Sequence, residues 1–168
     1  MRRRHSLLLG LSLAALCLGG CGFSLRQTPH FAFSSLYVNA PTGINLANAL
    51  KRILSADARV TLVADAKDMA QAQAILDIVQ DQTDEVIAGK NASGEVVELT
   101  LRHRLRFKLR TPLGKELIPE TELLLQRNLS FNTTAALAKE AEKAFLFRDM
   151  QSDVVQQLMR RLASVPSL

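Results

Sequence analysis

The feature that most constrains the fold of this chain is an alternating stretch in its second half, from residue 95 to residue 110. Apolar and basic side chains alternate along this stretch. The apolar members are Val97, Leu99, Leu101, Leu105, Phe107 and Leu109, and the basic members are Arg102, Arg104, Arg106, Lys108 and Arg110. A repeat of two residues is typical of a β-strand with one face buried and the other in water. The stretch therefore predicts a long strand with one dry face and one basic face.

Strand-like segments on either side predict two hairpins, with strands at 75–82 and 116–131 and turns at 91–94 and 112–114. The second turn, Pro112-Leu113-Gly114, is a common three-residue connection with glycine in the left-handed position. It predicts a register in which charges meet opposite charges and leucines meet leucines. The predicted pairs are Arg110 with Glu116, Arg106 with Glu120, Arg104 with Glu122, Leu109 with Leu117 and Leu101 with Leu125. Pro119 cannot donate to a ladder, which indicates an edge strand or a bulge there.

The basic row leaves two interpretations open. Paired with the glutamates of the next strand, it forms a cross-strand charge ladder that keeps one face of the sheet in water. Left unpaired, it would suit a polyanion. The matching charges in the predicted register favour the ladder for much of the row.

Helical periodicity predicts one helix over 45–56 and a longer one over 135–163. The apolar stripe of the longer helix is Phe147, Met150, Val154, Leu158 and Leu162. Short strands are predicted at 36–38 and 60–63, and the segment 64–72 fits either a helix or a loop. These elements predict one α+β domain over 36–164, with the helices on the dry face and a short tail at 165–168.

The N-terminus has the organisation of a bacterial lipoprotein signal. Three arginines precede an apolar run that is too short to span a bilayer, and the run ends in Leu18-Gly19-Gly20-Cys21, which resembles a lipobox. We expect residues 1–20 to be removed and Cys21 to carry diacylglyceryl and N-acyl lipid. Residues 21–35 then form a tether. Two or three acyl chains suffice for stable anchoring.

Composition excludes several other functions. The formal charge of +5 includes three arginines of the signal, so 18 basic residues face 16 acidic ones after its removal, which gives no case for nucleic acid. The histidines show no metal-ligand spacing, and no metal or other cofactor is predicted. Asp77, Asp81 and Asp84 cluster in sequence, but the first two are expected on one strand face without a partner. No catalytic constellation accompanies them, so the chain is not predicted to be an enzyme.

The segment Cys21-Gly22-Phe23-Ser24-Leu25-Arg26 resembles the start of mature lipoproteins of the LptE lipopolysaccharide-assembly family. The similarity continues through Ala136-Leu137-Ala138-Lys139 and through the last helix. It implies two helices on one face of a four-stranded, mostly antiparallel sheet, anchored to the outer membrane on the periplasmic side. Gly22 is consistent with that location. The resemblance also implies a plug in the LptD β-barrel that helps to assemble the barrel and to deliver lipopolysaccharide to the cell surface.

Two sets of candidate site residues follow. Lys139 matches a basic position of the family and Lys90 resembles a second, which makes both candidates for lipopolysaccharide binding; the alternative is two solvated lysines. The wet sheet face supplies the candidates for barrel contact, Arg102, Arg104, Arg106, Glu120 and Glu122. An auxiliary lipoprotein of an ABC-type envelope transport system is the alternative function, because it would share the signal, the size and the α+β content.

Overall fold

The computed structural model describes residues 30–41, 43–56 and 59–168. The predicted signal peptide, Cys21 with its Cys-Gly-Phe-Ser-Leu-Arg segment and the first part of the predicted tether lie outside these residues. The described chain joins the core before the predicted domain boundary, because Phe31 and Phe33 are 7% and 3% exposed. Their rings lie 5.4 Å apart.

The elements of the described chain follow the predicted order. They are strand β1 (Ser35–Asn39), helix α1 (Asn45–Ser55), strand β2 (Thr61–Val63), a 3-10 helix (Ala66–Gln71), strands β3 (Ala74–Lys90), β4 (Val96–Arg110) and β5 (Glu116–Ser130), a 3-10 turn (Thr133–Ala135) and helix α2 (Ala136–Ala163). Each predicted helix is confirmed to within one residue at its ends. The segment for which the sequence left helix or loop open contains the first 3-10 helix.

The strands form one sheet in the order β2-β1-β3-β4-β5, in which β1 runs parallel to β2 and β3 and the remaining pairs are antiparallel. The α+β class is confirmed, but the expected count of four strands is wrong, since the described sheet has five. The fifth strand is β2, which confirms the short strand predicted at 60–63 and is only three residues long. It aligns Leu62 with Leu36 on the free edge of β1, and Thr61 N–H donates to the Ser34 carbonyl at 2.8 Å. A pairing this short has no alternation from which its place in the sheet could be predicted.

The first long hairpin extends further than its predicted strand, because β3 continues to Lys90 instead of ending at residue 82. Its second half is polar and lacks a regular hydrophobic pattern. Backbone pairing with β4 continues through it, with Glu85 opposite Leu101 and Ile87 opposite Leu99. The partner strand therefore stabilises a conformation that the local pattern does not indicate.

The register of β5 against β4 agrees with the prediction only near the turn, where Arg110 lies opposite Glu116. The observed pairs beyond it are Leu109 with Ile118, Arg106 with Glu122, Arg104 with Leu124 and Leu101 with Arg127. The predicted register is wrong by one residue at Leu109 and by two further on, because β5 carries extra residues at Leu117 and around Pro119. Because the total shift is two residues, the β5 side chains beyond the bulges still lie on their predicted faces of the sheet. The edge position and the irregularity expected at Pro119 are confirmed.

Both helices cover one face of the sheet, and the core lies between these two layers. The dry row of β4 is confirmed from Leu99 to Leu109, and it packs in one apolar cluster with α2 residues such as Val154 and Leu158. Full burial of side chains of this size contributes about 1.5–3 kcal/mol each. The placement of Val97 in the dry row is wrong: it is 41% exposed, and the β3–β4 register shifts at this point. None of the helices in the described residues combines the length and apolar composition needed to cross a membrane.

Candidate functional site

The face of the sheet that the helices leave uncovered, here called the outer face, carries the five residues predicted to contact a barrel. Arg106 donates from Nε to Glu120 Oε1 at 2.8 Å and from Nη1 to Gln80 Oε1 at 3.4 Å. Arg104 Nε lies 3.6 Å from Glu122 Oε1. Two of the three arginine–glutamate contacts expected from the sequence are therefore present, whereas Arg110 lies opposite Glu116 but pairs with Asp77. The two observed contacts join diagonal neighbours, because the bulges of β5 shift the glutamates by two positions.

These ion pairs are only partly protected from water. The side chains of Arg104 and Arg106 are 37% and 40% exposed, and each glutamate partner is 44% exposed. Pairs with this exposure typically contribute between about 0.2 and 1 kcal/mol. The ladder thus shapes the charge of the outer face more than it stabilises the fold.

Arg102 differs from its two neighbours in the row. It lies opposite Asp84 on β3 and Gln126 on β5, yet among the described residues its guanidinium forms no ion pair. Its Nε, like that of Arg104, is buried without a hydrogen-bond partner in this part of the chain. Arg102 is thus a cation at the middle of β4 that has no ion-pair partner in the described part of the chain.

At the other end of the outer face, Asp77 joins three strands. Its carboxylate accepts from Asn39 Nδ2 at 2.6 Å and from Arg110 Nε at 2.7 Å. Burial acts to raise the pKa of Asp77, but the hydrogen bonds from Arg110 and Asn39 and the positive charges of Arg110 and Lys108 outweigh it, so this pKa lies below its ordinary value.

The expectation that Asp77 and Asp81 share one face without a partner is wrong. A register shift between Ile78 and Gln80 separates the two aspartates, so that Asp77 lies opposite Lys108 and Asp81 opposite the buried Leu105. Asp81 therefore faces the helices. Its partner there is the imidazole of His103.

Lys90 and Lys139 lie at the same end of the sheet. Lys90 ends β3 at the tip of the first hairpin and is exposed, whereas Lys139 lies near the start of α2. Lys139 Nζ contacts Ser130 Oγ at 3.1 Å and Glu142 Oε2 at 2.8 Å. Lys139 is therefore paired with Glu142, a contact that the sequence analysis did not predict. Lipopolysaccharide binding at these lysines stays a prediction.

Two further ion pairs hold α2 over the sheet. Lys143 Nζ lies 2.9 Å from Glu85 on β3, and Arg127 Nη2 on β5 donates to Asp153 at 2.7 Å. Hydrogen bonds from Lys143 to Glu140 and Glu85 raise the pKa of Lys143. No local sequence pattern predicts these contacts, because they depend on which face the shifted strands present to the helix.

His103 is the functional candidate that the sequence reasoning passed over. It occupies a position in the dry row between Leu101 and Leu105 and is only 3% exposed. Its Nε2 lies 2.6 Å from Asp81 Oδ1. The alternation of β4 predicts an apolar residue at this position, so the presence of a histidine could have marked it as a candidate. The imidazole lines an open cleft between α1, α2 and the sheet.

Comparison with known proteins gives a consistent assignment. A model of the LptE family, described as lipopolysaccharide-assembly, matches residues 33–162. The LPS-assembly lipoprotein LptE of Yersinia enterocolitica is 30% identical, over 97% of this chain and 78% of that protein. The corresponding protein of Yersinia pestis is 31% identical, over 96% and 78%.

Solved structures share the fold. The solution structure of an uncharacterized lipoprotein B from Nitrosomonas europaea has a TM-score of 0.73 and 33% identity, covering 85% of this chain and 91% of that one. The crystal structure of the rare lipoprotein B from Shewanella oneidensis has a TM-score of 0.65 at 19% identity, covering 77% and 94%, and supports the fold alone.

Proposed function

Because this chain belongs to the LptE family of lipopolysaccharide-assembly proteins, we propose that it is an outer-membrane lipoprotein that plugs an LptD-like β-barrel. It is anchored through lipid on Cys21 at the periplasmic side. It helps the barrel to assemble and assists the delivery of lipopolysaccharide to the cell surface. The role is structural and has no catalytic step.

The observation that carries the proposal is the charged outer face. The helices cover only one side of the sheet, which leaves Arg102, Arg104 and Arg106 with their glutamates in water. Such a face is poorly suited to lipid. It suits the interior of a barrel, where residues are polar and water-mediated contacts are tolerated.

Arg102 gives this face a specific point of attachment. Its guanidinium has no ion pair in the described residues, whereas the neighbouring Arg104 and Arg106 each contact a glutamate. A carboxylate or carbonyl oxygen on the barrel wall would complete its hydrogen bonding, and charged hydrogen bonds of this type are stronger than neutral ones.

Lys90 and Lys139 support the proposed role in lipopolysaccharide delivery. Lys90 is exposed, and Lys139 lies at the same end of the sheet, in the first turn of α2. Lipopolysaccharide is an anionic lipid, and a helix N-terminus with a nearby cation suits its phosphate groups. We propose that this end of the domain meets lipopolysaccharide.

Site-specific photo-crosslinking in cells tests the barrel contact. Crosslinkers in place of Arg104 and Arg106 are expected to capture residues of the barrel interior. Lys51, an exposed cation on α1 in the opposite layer, is the matched position and should give far less product with the same strands of the barrel. Capture of an inner-membrane transport complex instead, or no product from the outer face, would reject the proposal in favour of the transport alternative.

A further inference from the structure

The described sheet has two edges, and they differ in how well they are protected from pairing with another strand. Strand β2 forms one edge and is only three residues long. Strand β5 forms the other edge over fifteen residues. Its first part is irregular, with extra residues at Leu117 and around Pro119, and such features discourage pairing. From residue 121 to residue 130 the register with β4 is unbroken, and this regular segment is here called the open edge.

The hydrogen bonds at the end of β5 show which backbone groups of the open edge point outward. Phe131 N–H donates to the Val97 carbonyl at 2.8 Å, and this pair continues the register of Ser130 with Glu98. In an antiparallel ladder, residues that bond their partners alternate with residues whose N–H and C=O point away. The odd-numbered residues of the open edge therefore bond β4. The residues that direct both backbone groups outward are Glu122, Leu124, Gln126 and Asn128.

These outward groups form a nearly free row. Among the described residues, the contact that reaches them is from Arg127 Nη1, which donates to the Gln126 carbonyl at 3.2 Å. The residues that carry the row are all exposed. Arg127 itself is paired with Asp153 on α2, so its charge is compensated on the helical side of the sheet. The open edge thus offers backbone donors and acceptors that another chain could use.

Leu124 is a second indication that the open edge is covered by a partner. It lies opposite Arg104 on the charged outer face, and it is 42% exposed. Its neighbours on that face of β5 are the polar residues Glu122 and Gln126. A strand added beside β5 would place a side chain against Leu124 as its cross-strand neighbour and remove apolar surface from water.

The spacing of the outward groups determines the chemistry of the occupant. One N–H and one C=O recur at every second residue, roughly 6.8 Å apart along the strand. Another extended polypeptide backbone has donors and acceptors with the same repeat, whereas a phosphate group or a sugar does not. The strands of a closed barrel are already paired on both sides. A barrel partner can therefore pair with the open edge only through a loop or a terminal segment.

We propose that the open edge of β5 binds an extended loop or terminal segment of the barrel partner as an additional strand. This inference rests on the proposed function. Glu122 and Leu124 belong both to the outer face and to the open edge, so a partner that contacts Arg104 on the outer face lies beside the edge. Main-chain hydrogen bonds then supply affinity in addition to the side-chain contacts of the outer face.

Amide hydrogen exchange tests the open edge, with the full chain measured alone in detergent and in the complex purified with its barrel. In the chain alone, the amides of Leu124, Gln126 and Asn128 are expected to exchange fast, and those of Leu123 and Leu125 slowly. In the complex, the outward amides should exchange about tenfold more slowly or less, since each gains a hydrogen bond. The alternation between neighbouring residues should then disappear.

Gln126→Pro removes one outward N–H and leaves the bonds to β4, and proline is tolerated at such edge positions. It is expected to lower the amount of barrel that purifies with the chain. Gln126→Thr keeps the N–H, is the matched control and should retain the barrel. Urea unfolding establishes whether the proline variant folds; if it does not, the exchange measurement decides.

Outward amides that exchange equally fast in the complex and in the chain alone would overturn the inference. Capture of the barrel by crosslinkers at Arg104 and Arg106 would in that case still support the proposed function. Protection that rises with the concentration of the chain alone would assign the open edge to a second copy and would also overturn it. Without any barrel complex, the inference and the proposed function fail together.

Discussion

Asp77 illustrates how one residue joins several strands. It sits on β3, and its two oxygens reach Asn39 at the end of β1 and Arg110 at the end of β4. Only 8% of the residue is exposed, so water replaces these hydrogen bonds poorly. Its depressed pKa indicates that the folded state favours the charged form.

Asp77→Asn is expected to lower the free energy of unfolding at neutral pH by about 1.5–3 kcal/mol, the usual contribution of hydrogen bonds to a charged group. Because folding lowers the pKa of Asp77, its charge stabilises the fold above the ordinary value of 3.8 and ceases to do so as the pH falls through the folded-state pKa. Urea unfolding of the variant and the unmodified chain should therefore differ at neutral pH and converge in acid.

Asp65→Asn is the control for this prediction, since Asp65 has a 68% exposed side chain and only a 4.0 Å contact with Lys67. It should change stability little at either pH. A constant difference between Asp77→Asn and the unmodified chain across the acid range would contradict the assigned role of the charge.

At the scale of elements, the β4–β5 hairpin combines two bulges with a preserved pattern of faces. Each extra residue in β5 alone would turn the rest of the strand over and bury its glutamates. Together they shift the register by two, so Leu125 still faces the core and Glu122 still faces water. The consequence is that charged partners meet diagonally across the hairpin.

Exchange of the charges of Arg106 and Glu120 tests this contact. Either single reversal should cost about 0.2–1 kcal/mol of unfolding free energy, and the double exchange should recover most of that loss. The same cycle between Arg106 and Glu116, which lies opposite Arg110, should be additive. Urea unfolding measures both cycles; equal coupling in the two would be inconsistent with the observed register.

At the scale of the whole molecule, the domain has one charged layer and one helical layer, and the described residues contain no helix that could cross a membrane. The described chain begins at His30, nine residues after Cys21. The proposed attachment to the membrane is through the lipid of Cys21, and such lipid contributes about 0.8 kcal/mol per buried methylene group.

Cys21→Ala should release the folded protein into the soluble periplasmic fraction, because the acyl chains can no longer attach. Cys17→Ala, in the apolar run of the predicted signal peptide, is the matched control and should leave the protein with the outer membrane. Cell fractionation followed by mass spectrometry of the N-terminal peptide checks both. Retention of Cys21→Ala on the membrane would require another means of attachment.

The sequence alone determined the positions of both helices and of β4, and which face of these three elements is buried. Both helices and the basic row of β4 follow from periods of 3.6 and two, which are properties of the local chain. Lys51 and Leu105 fall on the expected sides for this reason.

Only the tertiary structure determined which residues meet. The register of β5 depends on bulges, the fifth strand on a free edge of β1, and the length of β3 on its partner strand. The Asp81–His103 contact and the partners of Lys139 likewise join positions that are far apart in sequence. Local periodicity assigns a side chain to a face, whereas its neighbour across the sheet is set by the sum of all shifts along two strands.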